Sequence, residues 1–418
     1  MKLVYPICCG VDVHKKTIVA TIVTTDKNNV STYLQKSFST FNYDLQNFHD
    51  WLKQHNCYHV CMESTGKYWI PIFNLLESDM HVLLTHPKYV KAIKGQKTDK
   101  KDSKWIADLF KFDMVRSSFI PPKSIRALRE ISRYRFKLVC MRSSERNRIQ
   151  NSMTVSNIGL SNVLSDTFGV TATNILDYLL SCSVFDPKEC DKLMKKRAKN
   201  KSAEIIKSIE GYDLRADQRF KISKARAHHE YLDKLICDSE IELYARTQPY
   251  DEIIERIAKL PGFSKLSAML VIAEIGVDMS VFESSKHLTS WAGLTPTNNE
   301  SAGKKKSVRI SHAGQYLKPL LVQCALSAIK SKQEPYFAIK YNRIKKRRGH
   351  KKAIIAIARM MLTCIYHMIK SGKEFNPIDY KELTNPNPKS QKVELTVETA
   401  LQFLASKGLD ISSLTSTI

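Results

Sequence analysis

The chain has 418 residues, 43% hydrophobic and 26% charged, which fits two or three folded domains and excludes a disordered polyampholyte. Its 66 Lys and Arg outnumber 41 Asp and Glu for a formal charge of +25, an excess that points to a polyanionic partner, nucleic acid before all others. No run approaches the roughly 18 consecutive apolar residues of a membrane span, no signal-peptide pattern opens the chain, and ten cysteines without C-x-x-C pairs argue for reduced thiols in a cytoplasmic protein.

In chain order, Val4–Val13, Thr17–Thr24 and Val30–Phe38 read as three strands, the last two separated by the turn sequence Asp26-Lys27-Asn28-Asn29. Phe41, Leu45, Phe48 and Leu52 recur at helical spacing and predict a helix over 41–54. A strand Tyr58–Met62, a helix Tyr68–Glu77 and a strand His81–Thr85 follow, and a further helix begins near Asp99. This order predicts a mixed α/β domain over residues 1–115, closed by Pro121-Pro122.

Residues 116–250 read as a charged helical linker, with helices over 123–155 and 203–247. Ala225, His229, Leu232, Ile236, Ser239 and Leu243 fall on a heptad seam, which predicts a coiled-coil stalk interrupted by a less regular insertion at 156–200. A third, mostly α unit occupies 251–384. From 385 to 418 a Pro- and Asn-rich tail ends in a short helix, Thr396–Lys407.

Asp12 and Glu63 close apolar strands of the first domain, and Asp99 and Asp102 lie three apart where they share a helix face with Ile106 and Leu109. Each acid alone reads as a cap or first-turn acid. Four on one sheet and its packed helix are costly unless something compensates them, and a divalent cation is the simplest compensation. Hard cations held by carboxylates suit in-line displacement at phosphorus, with Mg²⁺ expected and Mn²⁺ as the substitute.

The strings Gly10-Val11-Asp12-Val13-His14-Lys15, Met62-Glu63-Ser64-Thr65-Gly66 with Tyr68-Trp69, and Lys97-Thr98-Asp99-x-x-Asp102 resemble the DEDD transposases of insertion-sequence family one-ten. The resemblance implies an RNase H-like, RuvC-like first domain with Asp12, Glu63, Asp99 and Asp102 as its metal-binding catalytic tetrad. Ser103 stands where that family usually has Ala.

The segment 257–276, with its Pro261-Gly262 turn, reads either as a helix-hairpin-helix that offers amides to a phosphate or as a plain αα-turn. The run Glu300-Ser301-Ala302-Gly303-Lys304-Lys305-Lys306 reads by composition as a flexible loop or as an approach to phosphate. Leu260-Pro261-Gly262, Trp291-Ala292-Gly293-Leu294-x-Pro296, Glu300-Ser301 and Ser311-x-x-Gly314 resemble the same family's C-terminal transposase domain. That resemblance places a serine nucleophile at Ser301, with Ser307 and Ser311 as rivals.

Residues 340–352 carry eight Lys or Arg in thirteen positions. Arg343, Lys345, Lys346, Arg347 and Arg348 are the expected nucleic-acid contacts there, joined by Lys15, Lys97, Gly262, Lys304, Lys305, Lys306 and Arg309. For any single run the competing reading is a solvated helix face. Tyr336, Phe337 and Tyr341 beside the run are candidates to stack on unpaired bases, with core packing favoured for Phe337. No base-reading motif is evident. The resemblance implies guidance by a structured RNA pairing with donor and target DNA, in a bacterial or archaeal cytoplasm, nucleoid-associated when active, and the handling of two duplexes and four strand cuts fits a homodimer or homotetramer. Three rivals stay open: a DNA invertase of the same family, a junction nuclease that uses water, and a non-catalytic nucleic-acid binder.

Overall fold

A computed structural model describes residues 2–87, 90, 98–296, 299–301, 304–307, 309–380 and positions 383, 400, 403, 404, 406 and 407. The chain divides into two compact units, Met1–Arg126 and Ala127–Ile418.

The first unit is built on β1 (Ile7–Val13), β2 (Thr17–Thr25), β3 (Ser31–Ser39), α1 (Asn42–Gln54), β4 (His59–Glu63), α2 (Trp69–Leu76), β5 (His81–Thr85) and α3 (Asp99–Phe110). Five strands pair in the order β3-β2-β1-β4-β5. The β1/β2 and β2/β3 pairs are antiparallel, and β1/β4 and β4/β5 are parallel. The β2–β3 turn forms because the Asp26 carboxylate accepts from the Asn28 and Val30 amides at 2.9 and 2.8 Å, while Asn29 takes the left-handed φ of 62°.

Both sheet faces are covered, which is why β1 reads as a continuous apolar run. Val11, Val13, Phe48, Leu52, Met62 and Ile72 form one core, and Cys8, Val23, Cys61, Ile106 and Phe110 form the other beneath α3. Gly10 lets α3 approach β1 closely, since a Cβ there would overlap the Ser103 carbonyl and the Ala107 amide.

Among its described residues the second unit is helical apart from one ribbon. Its elements are α4 (Lys123–Val155, which begins just before the boundary), α5 (Leu160–Val163), α6 (Val170–Ser181), α7 (Pro187–Lys192), α8 (Ser202–Lys207) and α9 (Ala216–Thr247). There follow α10 (Asp251–Ala258), α11 (Lys265–Ile275), α12 (Ser285–Trp291), β6 (Asn299–Ser301), β7 (Lys304–Ser307), α13 (Leu317–Ala328), α14 (Tyr336–Arg348) and α15 (His350–Ser371).

The long helices α4 and α9 run antiparallel. Arg135 pairs with Glu240 at 2.5 Å, Leu138 packs with Leu232 and Ile236, and Arg142 meets Asp233 at 2.7 Å. The seam at Ala225, Leu232, Ile236, Ser239 and Leu243 is buried, whereas His229 sits at its edge and stacks on Phe168. The segment 156–200, expected to be less regular, is mostly short helices. With Ile149, Met153, Ile205 and Ile222 it encloses a core of its own, containing Leu160, Ile175, Leu179 and Cys190.

By length and composition α15 could cross a membrane, contrary to the reading of the sequence, yet half of its most apolar window is buried in the protein. Ile354, Ile357, Met361, Leu362 and Ile365 are core residues, which accounts for its composition. Of the expected helix Thr396–Lys407, positions 400, 403, 404, 406 and 407 are described, the first four of them helical, and the others lie outside the described residues.

Candidate active site

Asp12 is the penultimate residue of β1, six per cent exposed, and Glu63 ends the adjacent parallel strand β4. Parallel neighbours end on the same edge of a sheet, so the two acids share the carboxyl edge. On α3, Thr98 caps the first turn by accepting from the Lys101 amide, which fixes the start of the helix carrying Asp99 and Asp102. The buried face of α3 is Ser103, Ile106, Ala107 and Phe110, so Asp99 is exposed and Asp102 half-buried. This corrects the expectation that both acids lie on the packed face with Ile106 and Leu109: they stand at its rim, where a ligand can reach them.

Burial pushes the Asp12 carboxyl above the ordinary carboxylate range; His14 opposes this, while Asp99, Asp102 and Glu63 add to it. All three other acids therefore act on Asp12. His14, quoted in the sequence motif but given no role there, completes the group. Its Nε2 lies 3.2 Å from Asp12 Oδ2 and 3.4 Å from Asp99 Oδ1, and one donor atom from each of the three falls within 4.8 Å of the others. Glu63 is held by the Thr65 hydroxyl, which donates to Oε1 at 3.0 Å. The oxygen-rich donor set, gathered around a carboxylate that lacks a full counter-charge, fits a divalent cation, with Asp12, Asp99 and His14 grouped closely enough to share one. The one signal in the sequence that pointed toward His14 is its place two residues after Asp12, at the start of the β1–β2 turn; its approach to Asp99 is tertiary.

Ser103 turns out to be a buried polar anchor. Its hydroxyl meets Thr21 Oγ1 at 2.8 Å and Gln35 Nε2 at 3.2 Å. The network ties α3 to β2 and β3 on the side away from β4.

Ser301 ends β6, which pairs antiparallel with β7 in a two-stranded ribbon with Ser301 opposite Lys304 and Glu300 opposite Lys305. The backbone is therefore a hairpin rather than the flexible loop that composition suggests. Its base is pinned by two glycines: Gly293 (φ 67°) packs on the Ala313 carbonyl and Gly314 (φ 71°) on the Ala292 carbonyl, leaving no room for a Cβ at either. The Ala-Gly of the tryptophan motif thus meets the Ala-Gly of the Ser311 motif backbone to backbone. Lys318 closes the junction by donating to the Ser311 carbonyl at 2.7 Å. Ser301, Lys304, Lys305 and Lys306 are placed by their backbones, and Arg309 is exposed. Lys97 falls outside the described residues.

Lys15 is exposed beside the acidic group. Gly262 (φ 87°) packs against the α13 backbone at Cys324 and Ala328, so its conformation answers to helix packing. The same turn borders an open groove of about 640 Å³ edged by Ser264, Ser267, Gln323, Ser327 and Lys330. Arg343 and Lys345 to Arg348 are exposed on α14, Arg343 also donating to the Leu383 carbonyl. Tyr336, Phe337 and Tyr341 are all buried, and the Tyr341 hydroxyl pairs with His350 at 2.7 Å. None of the three presents a face to an unpaired base, because α14 needs them to pack.

Two sequence-family models match the chain. A DEDD-type transposase model covers residues 9–157, and the model described as transposase IS116/IS110/IS902 family covers 254–342. Among curated relatives, a pilin gene-inverting protein of Moraxella lacunata is 26% identical over 44% of this chain and 54% of its own length. The transposase for insertion sequence element IS1111A of Coxiella burnetii is 30% identical over 33% of this chain and 38% of its own. A putative transposase of Sinorhizobium fredii is 24% identical over 32% and 36% respectively. The matched stretches thus span about a third to a half of these relatives.

Proposed function

Because this chain belongs to the IS110 family of transposases, with that family's two models in order along it, we propose that it is a DNA recombinase that cuts and rejoins phosphodiesters. The observation that carries this reading is the grouping of Asp99 and His14 around the buried Asp12, with Glu63 ending the neighbouring parallel strand and Asp102 one turn on from Asp99. Those four acids are the cation's holders, with His14 as an added donor, and a bound Mg²⁺ or Mn²⁺ supplies Lewis acidity at the scissile phosphate.

The Ser301 hydroxyl attacks phosphorus, and its proton passes to solvent. An Oγ–P bond forms as the P–O3′ bond breaks, and the departing 3′ oxygen takes up a proton. The 3′-hydroxyl of the exchanged strand then attacks the phosphoserine, which restores the serine and a phosphodiester. The ribbon suits the nucleophile, since its glycine-pinned base holds the strand that ends at Ser301 and three lysines follow the turn.

The exposed cations of α14 are the DNA contacts. Lys351 and Lys352, in the first turn of α15, place positive charge against the positive end of that helix, which a phosphate backbone would relieve. Two duplexes and four strand cuts call for a homodimer or homotetramer. A structured RNA that pairs with donor and target is the proposed source of selectivity, supported by the family resemblance and by the lack of a base-reading motif in the sequence. A second reading, site-specific inversion by the same chemistry, is favoured by the pilin gene-inverting relative.

Incubation with nicked suicide substrates tests the chemistry. A covalent protein–DNA adduct is expected, mapping to Ser301 by mass spectrometry, lost in Ser301→Ala and in Asp12→Ala. Full recombination by Ser301→Ala, under conditions where Asp12→Ala is inactive, would remove the serine from the mechanism. Sequencing RNA that copurifies through high salt tests the guide: a discrete species from DNA flanking the gene supports it, and random cellular RNA refutes it.

A further inference from the structure

We infer that the helical module inserted between α4 and α9, residues 156–214, is a separate binding surface for the phosphodiester backbone of a nucleic-acid duplex. The module has its own core, with Leu160, Ile175, Leu179, Cys190 and Ile205 fully buried. That core accounts for its apolar residues and leaves a lysine-rich strip unexplained by packing. Residues 195–201 hold five Lys or Arg and no acid.

The strip is fixed in place rather than loose. Met194 is buried just before it, Ala198 packs on the core within it, and Ile205 is buried just after. Between these anchors the backbone winds into a 3₁₀ helix, Lys196–Lys201. At ~2 Å rise per residue such a turn spans ~12 Å, on the scale of the DNA grooves.

Charge in this strip is also unanswered, unlike that of nearby runs. Arg142 is paired with Asp233, Arg148 with Glu145 and Lys192 with Glu189. Lys195, Arg197 and Lys199 are exposed, with no ion pair among the described residues, while Lys201 reaches only the Val163 carbonyl at 3.4 Å. Fixed, clustered cations without partners raise the energy of the free protein, and a polyanion lowers it.

The aromatic residues decide the form of that polyanion. Single strands are gripped by exposed rings on which bases stack. In this module Phe168, Tyr178, Phe185 and Tyr212 are partly buried and pack against the core, and none stands fully exposed. A basic strip without a stacking platform suits a paired helix, read through its backbone.

The test uses the full-length protein and measures binding, not cleavage, so that it stands apart from the recombinase reading. The variant Lys195→Gln/Arg197→Gln/Lys199→Gln/Lys201→Gln is compared with a charge-matched control, Lys2→Gln/Lys27→Gln/Lys332→Gln/Lys373→Gln, whose residues are exposed elsewhere. Affinity for one sequence as DNA duplex, RNA duplex and single strand is followed against salt. The strip variant should lower the slope of log K against log salt by ~0.9 per lost contact on a duplex, up to ~4, with the control little changed. Loss on the DNA duplex alone or the RNA duplex alone identifies the source. An unchanged slope, equal loss in the control, or loss confined to single strands would overturn the proposal. Unaltered circular dichroism and melting in the strip variant exclude misfolding.

Discussion

The acids of the first unit and the serine of the second are held by different physics. Asp12 and Glu63 extend from strands buried on both faces, and the helix bearing Asp99 and Asp102 is pressed onto β1 at Gly10. Ser301 ends a three-residue strand in a two-stranded ribbon, and the backbone contacts of Gly293 and Gly314 fix the base of that ribbon. A site that must hold a cation within a few tenths of an ångström gains from a stiff core. A nucleophile of the kind proposed for Ser301, which must meet and then release a covalently attached strand, gains from a ribbon with a fixed base. Removing the functional atom should be equally severe in both, and this gives the largest expected effect: Asp12→Ala and Ser301→Ala each lower adduct formation by at least ~10³-fold in a gel assay. The comparison sharpens with metal binding, which Asp12→Ala should abolish in calorimetry and Ser301→Ala leave intact.

The next largest effect separates the units by stability. Glu274 is five per cent exposed at its side chain and takes a bidentate bond from Arg133 at 2.8 and 2.9 Å, with Arg129 at 3.7 Å. This cluster locks α4 to α11, and Arg133 also lies over the Tyr316 ring at 4.6 Å. Glu274→Ala strands buried guanidinium charge and should cost about 3–5 kcal/mol in urea unfolding of the second unit, leaving the transition of the first unit in place. Equal loss in both transitions would mean that the units do not unfold separately.

In the proposed acidic site, Asp12 and Glu63 were legible because each stands where an apolar strand ends, whereas the place of Asp99 and Asp102 at the rim of α3 was not. Asp12 is the penultimate residue of a seven-residue strand and Asp99 follows a capping threonine, so the proposed site acids mark strand and helix boundaries. The order of strands and helices in the first unit followed from the same periodicities. What pattern could not supply was contact between distant segments. His14 joins the site only because the β1–β2 turn brings it back toward Asp99, and Glu274 looked like part of a small-residue helix until α4 packed against it. The ribbon was missed since two short strands of Ser, Lys and Asn carry no alternation of apolar residues. Tyr336 and Tyr341 were open to either reading because one side chain can serve a core or a base.

A smaller effect tests the stiff half of the comparison. In Gly10→Ala the new methyl group meets backbone on α3, which no rotamer change can relieve. Overpacking of this kind costs about 1–3 kcal/mol and moves the helix carrying Asp99 and Asp102 away from Asp12. Cation affinity should therefore fall further than melting temperature does. A variant that melts lower yet binds Mn²⁺ with unchanged affinity would show that α3 is not what sets the site.

The smallest expected effect has the opposite sign. Asp12 is pushed up chiefly by burial, with three neighbouring carboxylates adding to the penalty. An acid whose pKa is higher folded than unfolded binds more protons in the fold, so stability declines as pH rises through the window between its ordinary and raised values. Above that window the cation-free first unit carries ionised Asp12 as a net cost. Asp12→Asn removes that charge at nearly constant shape and should raise the melting temperature of the chelator-treated protein modestly at neutral pH. The advantage should vanish at pH values below the ordinary carboxylate range, where Asp12 is protonated in both states. Saturating Mn²⁺ should reverse the order, because only the wild type gains stability from binding. If Asp12→Asn instead lowers melting without cation, the carboxylate is serving as a structural hydrogen-bond acceptor, and the strain assigned to the acidic site lies elsewhere.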